Sequence, residues 1–298
     1  MLSRRHFIGG GLALGALPTF AATDDAAMRT IPSSRELIPV VGLGSWVTFN
    51  VGRDPALLAR STKVIETFLN AGGGMIDSSP MYGSAQDTIG HALRTLKDRA
   101  GLFATDKVWT DADEGVQQIL ETRRRWGVDR FDLLQVHNLW DWEAHLDTLF
   151  AMKDSGDLRY VGVTTSHGRR HGDLFEIMRE QPIDFVQLTL NAVDREAEQR
   201  LLPLALEKGI AVVVNRPFRR HGLIHHTEGA PLPGFAADVG ATSWAQLLLK
   251  FVLAHPAVTT VIPATTSTDH VVENKQAAMG RMPDDALRDR ISQAVRVL

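Results

Sequence analysis

The segment Phe131-Asp132-Leu133-Leu134-Gln135-Val136-His137 is typical of a short strand that is buried on both faces. It lacks the alternation of apolar and polar residues that marks a strand with one face in water. A segment of helical period, residues 142–155, follows it and is closed by Gly156. A buried strand followed by a helix is the unit from which parallel sheets are built.

This strand–helix unit recurs along the chain, and eight strands of this kind can be counted. The predicted strands are residues 40–44, 74–77, 102–105, 131–137, 160–164, 185–190, 210–214 and 258–262. Eight parallel strands joined by helices, such as the predicted helix 55–71, favour an α/β fold of the (β/α)8 TIM-barrel type. A hairpin at residues 29–39 is expected before the barrel, and a short helix near the C-terminus is expected after it.

An open, doubly wound sheet is the structural alternative. The first strand, Val40-Val41-Gly42-Leu43-Gly44, is not followed by the glycine spacing and helix start of a dinucleotide-binding fingerprint. A nucleotide cofactor would therefore have to be bound in another way.

Composition excludes several classes of function. The 298 residues include 44% hydrophobic residues, enough for one large core, and the net charge of -3 offers no broad basic surface for nucleic acid. No cysteine is present, which excludes disulfides, thiolate nucleophiles and cysteine metal sites. Histidines at metal-compatible spacings lack a carboxylate to complete a set, so no metal is expected.

The first residues are typical of an export signal. Ser3-Arg4-Arg5-His6-Phe7-Ile8 precedes an apolar, glycine-rich stretch and then small residues, as in a twin-arginine-type signal peptide. A stable membrane anchor is the alternative, but the apolar stretch is shorter than the roughly 20 residues that span a bilayer. We expect a signal peptide at residues 1–24, a single domain at 28–298, recognition by the twin-arginine export machinery and a periplasmic location.

Four polar residues are expected together at one end of the barrel. Active sites of TIM barrels lie at the carboxyl ends of the strands. Asp77 ends the second predicted strand, Tyr82 follows in its loop, Lys107 follows the third strand and His137 ends the fourth. Taken singly, each could be a cap, a core residue or a surface charge.

Together these residues suit the reduction of a carbonyl. The oxygen gains negative charge as hydride arrives, so the reaction needs a proton donor, and tyrosine is too weak an acid without help. Lys107 would favour the Tyr82 phenolate, Asp77 would hold Lys107 in place, and His137 would orient the carbonyl. The tryptophans Trp46, Trp109 and Trp140 follow the first, third and fourth strands, and we expect them to line an apolar substrate pocket.

The sequence closely resembles the aldo-keto reductase superfamily from about residue 37 to residue 278. The resemblance is carried by these motifs: Gly42-Leu43-Gly44-Ser45-Trp46, Asp77 with Tyr82-Gly83, Asp132-Leu133-Leu134-Gln135-Val136-His137, and Ile262-Pro263 with Glu273-Asn274. It implies a nicotinamide-dependent oxidoreductase that reduces an aldehyde or ketone to an alcohol, with Asp77, Tyr82, Lys107 and His137 as its catalytic tetrad.

The loops after the seventh and eighth strands are the expected phosphate-binding region, as in many barrels. The resemblance adds a nicotinamide contact at Gln187, adenine contacts at Glu273 and Asn274, and positions at Thr164, Thr165 and Asn215 where this chain departs from the usual residues. The remaining expected cofactor-binding residues are Arg216, Pro217, Phe218, Arg219, Ile262, Ala264, Thr265, Thr266 and His270.

Ala264 and His270 stand where many relatives present cations to the 2′-phosphate of NADP. The absence of these two cations weakens a preference for NADPH, although Thr265 and a protonated His270 could replace part of the lost contact with the 2′-phosphate. We expect NADP(H) to be favoured slightly over NAD(H). The alternative to an enzyme is a non-enzymatic or slow cofactor-binding barrel that acts as an auxiliary or sensor subunit.

Overall fold

The computed structural model describes residues 27–298. The signal peptide predicted at residues 1–24 lies outside this range. Within residues 27–298, no helix is both long enough and apolar enough to cross a bilayer.

The described residues include ten strands and ten α-helices, besides three short 3-10 helices. The strands are β1 Met28–Thr30, β2 Leu37–Pro39, β3 Leu43–Gly44, β4 Gly74–Asp77, β5 Leu102–Val108, β6 Phe131–His137, β7 Leu158–Thr164, β8 Phe185–Thr189, β9 Ala211–Asn215 and β10 Val258–Val261. The helices are α1 Pro55–Asn70, α2 Ala85–Thr95, α3 Gly115–Trp126, α4 Trp142–Asp154, α5 His171–Glu180, α6 Leu201–Lys208, α7 Gly222–His226, α8 Trp244–Leu253, α9 Thr268–Gln276 and α10 Asp285–Arg296.

Strands β3 to β10 form a parallel barrel in sequence order, which confirms the predicted fold class. The sheet closes into a barrel where its first and last strands meet. There the Gly42 amide donates to the Val261 carbonyl (2.8 Å) and the Gly44 amide donates to the Pro263 carbonyl (3.0 Å). An added Cβ at Gly42 would lie 2.7 Å from the Met75 carbonyl oxygen, so glycine permits this close approach. The sequence Gly42-Leu43-Gly44 thus serves barrel closure.

All eight barrel strands were predicted, and the corrections concern their ends. Strand β5 continues to Val108, so Lys107 lies within the strand instead of following it. Strand β7 begins at Leu158, two residues earlier than expected. Strand β3 has only two residues, because Val40 to Gly42 are held by single bridges to the opposite edge of the sheet.

The predicted N-terminal hairpin is present and closes the end of the barrel where its strands begin. Strands β1 and β2 pair antiparallel, and Ile31 and Ile38 pack against Met75, Phe103 and other barrel-interior side chains. A larger apolar cluster lies between the strands and the surrounding helices. The hairpin leaves the carboxyl ends of the strands as the open end of the barrel.

Candidate active site

A cavity of about 480 Å³ opens at the carboxyl ends of the strands. Asp77, Tyr82 and His137 line it, and Lys107 lies directly beneath them through its contact with Asp77. The four residues predicted to act together are therefore close in space, although they come from β4, its following loop, β5 and β6.

Lys107 and Asp77 form a buried ion pair below the cavity. Lys107 Nζ lies 2.6 Å from Asp77 Oδ2 and donates a second hydrogen bond to the Ser78 carbonyl (2.7 Å). Burial has the largest single effect and favours the neutral amine, but Asp77, Tyr82 and Asp106 together outweigh it and raise the pKa of Lys107. The other Asp77 oxygen accepts from the Gln187 side-chain amide at 3.0 Å. Lys107 is thus kept charged and in one place.

Tyr82 lies beside this charged amine. Lys107 Nζ is 5.2 Å from the centre of the Tyr82 ring. Burial raises the pKa of Tyr82 to about 12, and the Lys107 charge opposes that rise without cancelling it. The phenol therefore keeps its proton at neutral pH, as a proton donor must.

His137 is held as a neutral imidazole. Its Nδ1 lies 2.7 Å from the Ser79 hydroxyl, and its ring meets the Tyr82 ring edge-to-face with centres 5.7 Å apart. Burial, together with the nearby Lys107 charge, lowers the pKa of His137 well below 6.5. When the Ser79 hydroxyl donates to Nδ1, the single ring proton is on Nε2, where it can donate to a substrate oxygen.

The loop that carries Tyr82 is fixed by its neighbours. The Tyr82 amide donates to the Ser79 carbonyl (3.0 Å), which closes a turn immediately after β4. Gly83 follows with a φ of 62°, and Asn50 Oδ1 accepts from the Ser84 amide at 2.9 Å. These contacts place the phenol over the strand ends.

Neighbouring residues of β5 face opposite sides of the sheet. Lys107 points into the barrel, whereas Asp106 points outward and accepts hydrogen bonds from Gln86 of α2 and Trp126 of α3. Burial raises the pKa of Asp106 to about 7. Asp106 therefore belongs to the packing between the strand and the helices, and its carboxyl group does not face the cavity.

Eight of the predicted cofactor-binding residues line the cavity. They are Thr164, Gln187, Asn215, Arg216, Pro217, Phe218, Ile262 and Ala264. Gln187 Oε1 accepts from the Thr164 hydroxyl (3.1 Å) and from the Asn215 side-chain amide (3.3 Å). This polar row crosses the floor of the cavity from β7 to β9.

The other predicted cofactor-binding residues lie outside the cavity lining. Thr165 is buried behind it, and Arg219 faces Asp194. The rest lie in or just before α9, with Thr265 and Asn274 buried: Thr265, Thr266, His270, Glu273 and Asn274. Arg60 of α1 donates to the Thr266 hydroxyl at 2.6 Å, so a cation stands beside these hydroxyl groups.

Of the three tryptophans predicted to bind substrate, only Trp46 lines the cavity. Trp109 and Trp140 are exposed farther out, at 37% and 50% of their surface. The Trp140 indole N–H donates a hydrogen bond to Asp111. The Trp109 backbone amide donates to the Gln118 side chain, and the Trp109 carbonyl accepts from the same side chain. The expectation for these two was wrong because it used their position after a strand and could not give the direction of the side chain.

Several residues in or beside the cavity were missed from the sequence. Ser79 contacts His137. In the sequence, only its position just after a strand could have indicated that it belongs to the site. Other missed positions carry positive charge or imidazole groups: His167, Arg169, Arg220 and His221. They lie in loops, where no periodicity indicates which side chains turn inward.

Buried polar groups in this region that have no hydrogen-bond partner among the described residues include the Thr165 hydroxyl and Arg216 Nε. Both belong to the set expected to bind a cofactor. Buried polar groups normally have a hydrogen-bond partner, so these atoms fit a polar, anionic nucleotide in the cavity.

Comparison with known proteins identifies the family of this chain. Residues 40–291 match the family described as "Aldo/keto reductase family". An uncharacterized oxidoreductase, C215.11c of Schizosaccharomyces pombe, is 31% identical over 165 residues, which cover 54% of this chain and about half (52%) of that relative. Methylglyoxal reductase YeaE of Escherichia coli is 25% identical over 249 residues, covering 80% of this chain and 84% of the relative.

A solved structure has the same fold. It is an aldo-keto reductase from Klebsiella pneumoniae in complex with NADPH, with a TM-score of 0.74, 22% identity, and coverage of 89% of this chain and 94% of that one. The family match spans most of the barrel and all the strands that form the cavity. This chain therefore belongs to the aldo/keto reductase family.

Proposed function

We propose that this protein reduces an aldehyde or ketone to the alcohol with a nicotinamide cofactor, and that Tyr82 donates the proton. The observation that carries the proposal is the buried Lys107–Asp77 pair beside a protonated Tyr82 and a neutral His137 at one cavity. Family membership supports the same class of reaction.

Each residue has a defined part in this reaction. Bound reduced nicotinamide supplies the hydride. His137 Nε2–H donates to the carbonyl oxygen and orients it, and Tyr82 gives its phenolic proton to that oxygen as the negative charge develops. Lys107 stabilises the phenolate left on Tyr82, and Asp77 keeps Lys107 charged. The apolar wall at Trp46 limits access of water.

The residues that would hold the cofactor are divided between the two regions described above. Thr164, Gln187 and Asn215 would bind the nicotinamide end, and the segment from Thr265 to His270 would bind the adenosine end. We propose a slight preference for NADP(H), because Arg60 and the hydroxyls beside it offer a 2′-phosphate charge-assisted hydrogen bonds. The NADPH bound by the Klebsiella relative supports this proposal.

Single-turnover oxidation of bound NADPH by 4-nitrobenzaldehyde tests the function. Replacing Tyr82 with Phe removes the proton donor, so we expect the rate to fall by about a hundredfold or more. Cofactor binding, followed by tryptophan fluorescence, is expected to stay within about twofold of the unmodified protein, because the phenol is assigned to proton transfer.

Tyr160 provides a matched control. It is the only other tyrosine and lies at the closed end of the barrel, so Tyr160→Phe is expected to keep the turnover. Rates no faster than the uncatalysed reaction in both the unmodified protein and Tyr82→Phe would favour the auxiliary or sensor alternative, whereas equally fast rates would contradict the role of Tyr82. Titration with both reduced cofactors tests the NADP preference, and tighter binding of NADH would contradict it.

A further inference from the structure

The cavity has a cationic wall that the catalytic tetrad does not require. Arg169, Arg216 and Arg220 form it, and the imidazoles of His167 and His221 lie in the same lining. Among the described lining residues the one carboxylate is Asp77, which is already paired with Lys107. The whole chain carries a net charge of -3, so this concentration of positive charge is local.

The positive groups lie close enough to affect one another. Burial lowers the pKa of Arg216, and the neighbouring Arg220 charge lowers it further. Burial also lowers the pKa of His167, with a further contribution from Arg216 and Arg169. No carboxylate in residues 27–298 forms an ion pair with Arg169, Arg216 or Arg220, whereas Arg219 next to them faces Asp194. Crowded, unpaired cations are typical of a site for an anion.

These side chains belong to two different loops. Arg216 and Arg220 follow β9, in the loop expected to hold the cofactor phosphates. His167 and Arg169 follow β7, whose last residue Thr164 is paired in register with His137. The two loops follow strands that are separated in the barrel by β8 alone.

The loop after β7 is fixed to the catalytic side. Arg170 donates to the carbonyls of Asn138 (3.2 Å) and Leu139 (2.8 Å), directly after His137. The His167 amide donates to the Thr189 hydroxyl, and Arg169 Nη2 lies 3.3 Å from His167 Nδ1. The loop that carries Arg169 is thereby anchored to the segment directly after His137, and both side chains line the same cavity.

The lining of the cavity is also partly apolar, at Trp46. The Arg220 guanidinium stacks on the Trp46 ring at 4.5 Å, which places a cation against an aromatic face. A planar substrate could lie along Trp46 with its carbonyl at His137 and an anionic group at Arg169. Arginine is suited to a carboxylate because its donors match the two oxygens.

We propose that the preferred substrates are carbonyl compounds that also bear a carboxylate, and that Arg169 is the residue that selects for it. This inference rests on the proposed reductase function. Arg216 and Arg220 serve the cofactor phosphates and add to the attraction of anions towards the cavity.

The turnover experiment compares 4-carboxybenzaldehyde with its neutral methyl ester, methyl 4-formylbenzoate. We expect Arg169→Ala to lower kcat/KM for the carboxylate by about tenfold, mainly through KM, because a charge-assisted contact is lost. The ester is expected to change by less than about twofold, since it makes no such contact. Arg179→Ala is the matched control, because Arg179 lies on α5 outside the cavity and pairs with Glu176.

A binding experiment separates this inference from the reductase function. The unreactive amide 4-carbamoylbenzoate and its methyl ester are titrated against the NADP⁺-bound protein by calorimetry. Tighter binding of the anion that depends on Arg169 supports the inference even if no aldehyde is reduced, an outcome that would contradict the reductase proposal alone. Equal loss for acid and ester, or a loss of cofactor affinity in Arg169→Ala, would overturn the inference and assign Arg169 to the cofactor.

Discussion

At Tyr82, burial and a neighbouring cation act on the same proton in opposite directions. Burial has the larger effect and raises the pKa to about 12, whereas the Lys107 charge limits the rise. The sequence indicated the effect of Lys107 but could not give the depth at which the phenol lies. The result suits reduction, because the donor is fully protonated before the carbonyl arrives.

His137 leads to a prediction about pH. Its pKa is lowered well below 6.5 and that of Tyr82 is raised, so neither group titrates near neutrality. We expect kcat/KM for a neutral aldehyde to stay within about twofold between about pH 6 and pH 8. A pH–rate profile at saturating NADPH measures this. An inflection near 6.5 that disappears in His137→Gln would show that the imidazole is protonated in that range.

The same shift affects stability. Below the usual histidine pKa of 6.5 the unfolded chain gains a proton at this position that the folded chain does not bind. His137 therefore makes the free energy of unfolding fall as the pH drops below about 6.5.

Individual residues differed in how far the sequence could predict them. Asp77, Tyr82, Lys107 and His137 come together because the ends of parallel strands meet at one edge, a property that order along the chain reveals. Ser79 and Arg169 depend on rotamers and loop conformation. A single sequence reveals neither the rotamers nor the loop conformation.

Among the helices, α2 and α3 meet at Gly90. A Cβ added there would overlap the Arg125 carbonyl oxygen, and a backbone oxygen cannot move alone. Ala is a better helix former than Gly by about 1 kcal/mol, but overpacking of this kind costs about 1 to 3 kcal/mol. We expect Gly90→Ala to lower the free energy of unfolding, measured by urea denaturation.

Gly172 on α5 is the control for this prediction. No heavy atom lies within 4 Å of its added Cβ, and its backbone is in an ordinary helical region. Gly172→Ala should therefore be neutral or stabilising by up to about 1 kcal/mol. If both variants behaved alike, helix propensity would decide the outcome and the α2–α3 contact would be looser than described.

The elements themselves were largely predictable, because continuous apolar runs mark strands buried on both faces. The extent of β5 was underestimated, since Asp106 and Lys107 are polar residues that normally indicate a loop. Both are satisfied inside the fold, Asp106 by Gln86 and Trp126 and Lys107 by Asp77. Partners from distant parts of the chain made the longer strand stable.

For the molecule as a whole, stability and ligand recognition lie at opposite ends of the barrel. Ile31 of the hairpin is fully buried among residues of the barrel interior, so Ile31→Ala should lower the free energy of unfolding by about 2 to 5 kcal/mol. Leu37 is 57% exposed, and Leu37→Ala should have little effect.

Activity should not follow this loss of stability. At a temperature where Ile31→Ala remains folded, its KM for aldehyde and its affinity for NADPH should equal those of the unmodified protein. Circular dichroism with urea gives the stability and steady-state kinetics give KM. A changed KM would show that packing at the closed end is transmitted to the cavity.

The position of the hairpin at the closed end of the barrel also affects how the substrate range of such a chain can change in evolution. The side chains that hold its closed end, such as Ile31 and Ile38, do not reach the loops that meet a ligand. Substitutions in those loops can therefore accumulate with small effects on folding, so that new substrate ranges are open to selection while the scaffold is preserved.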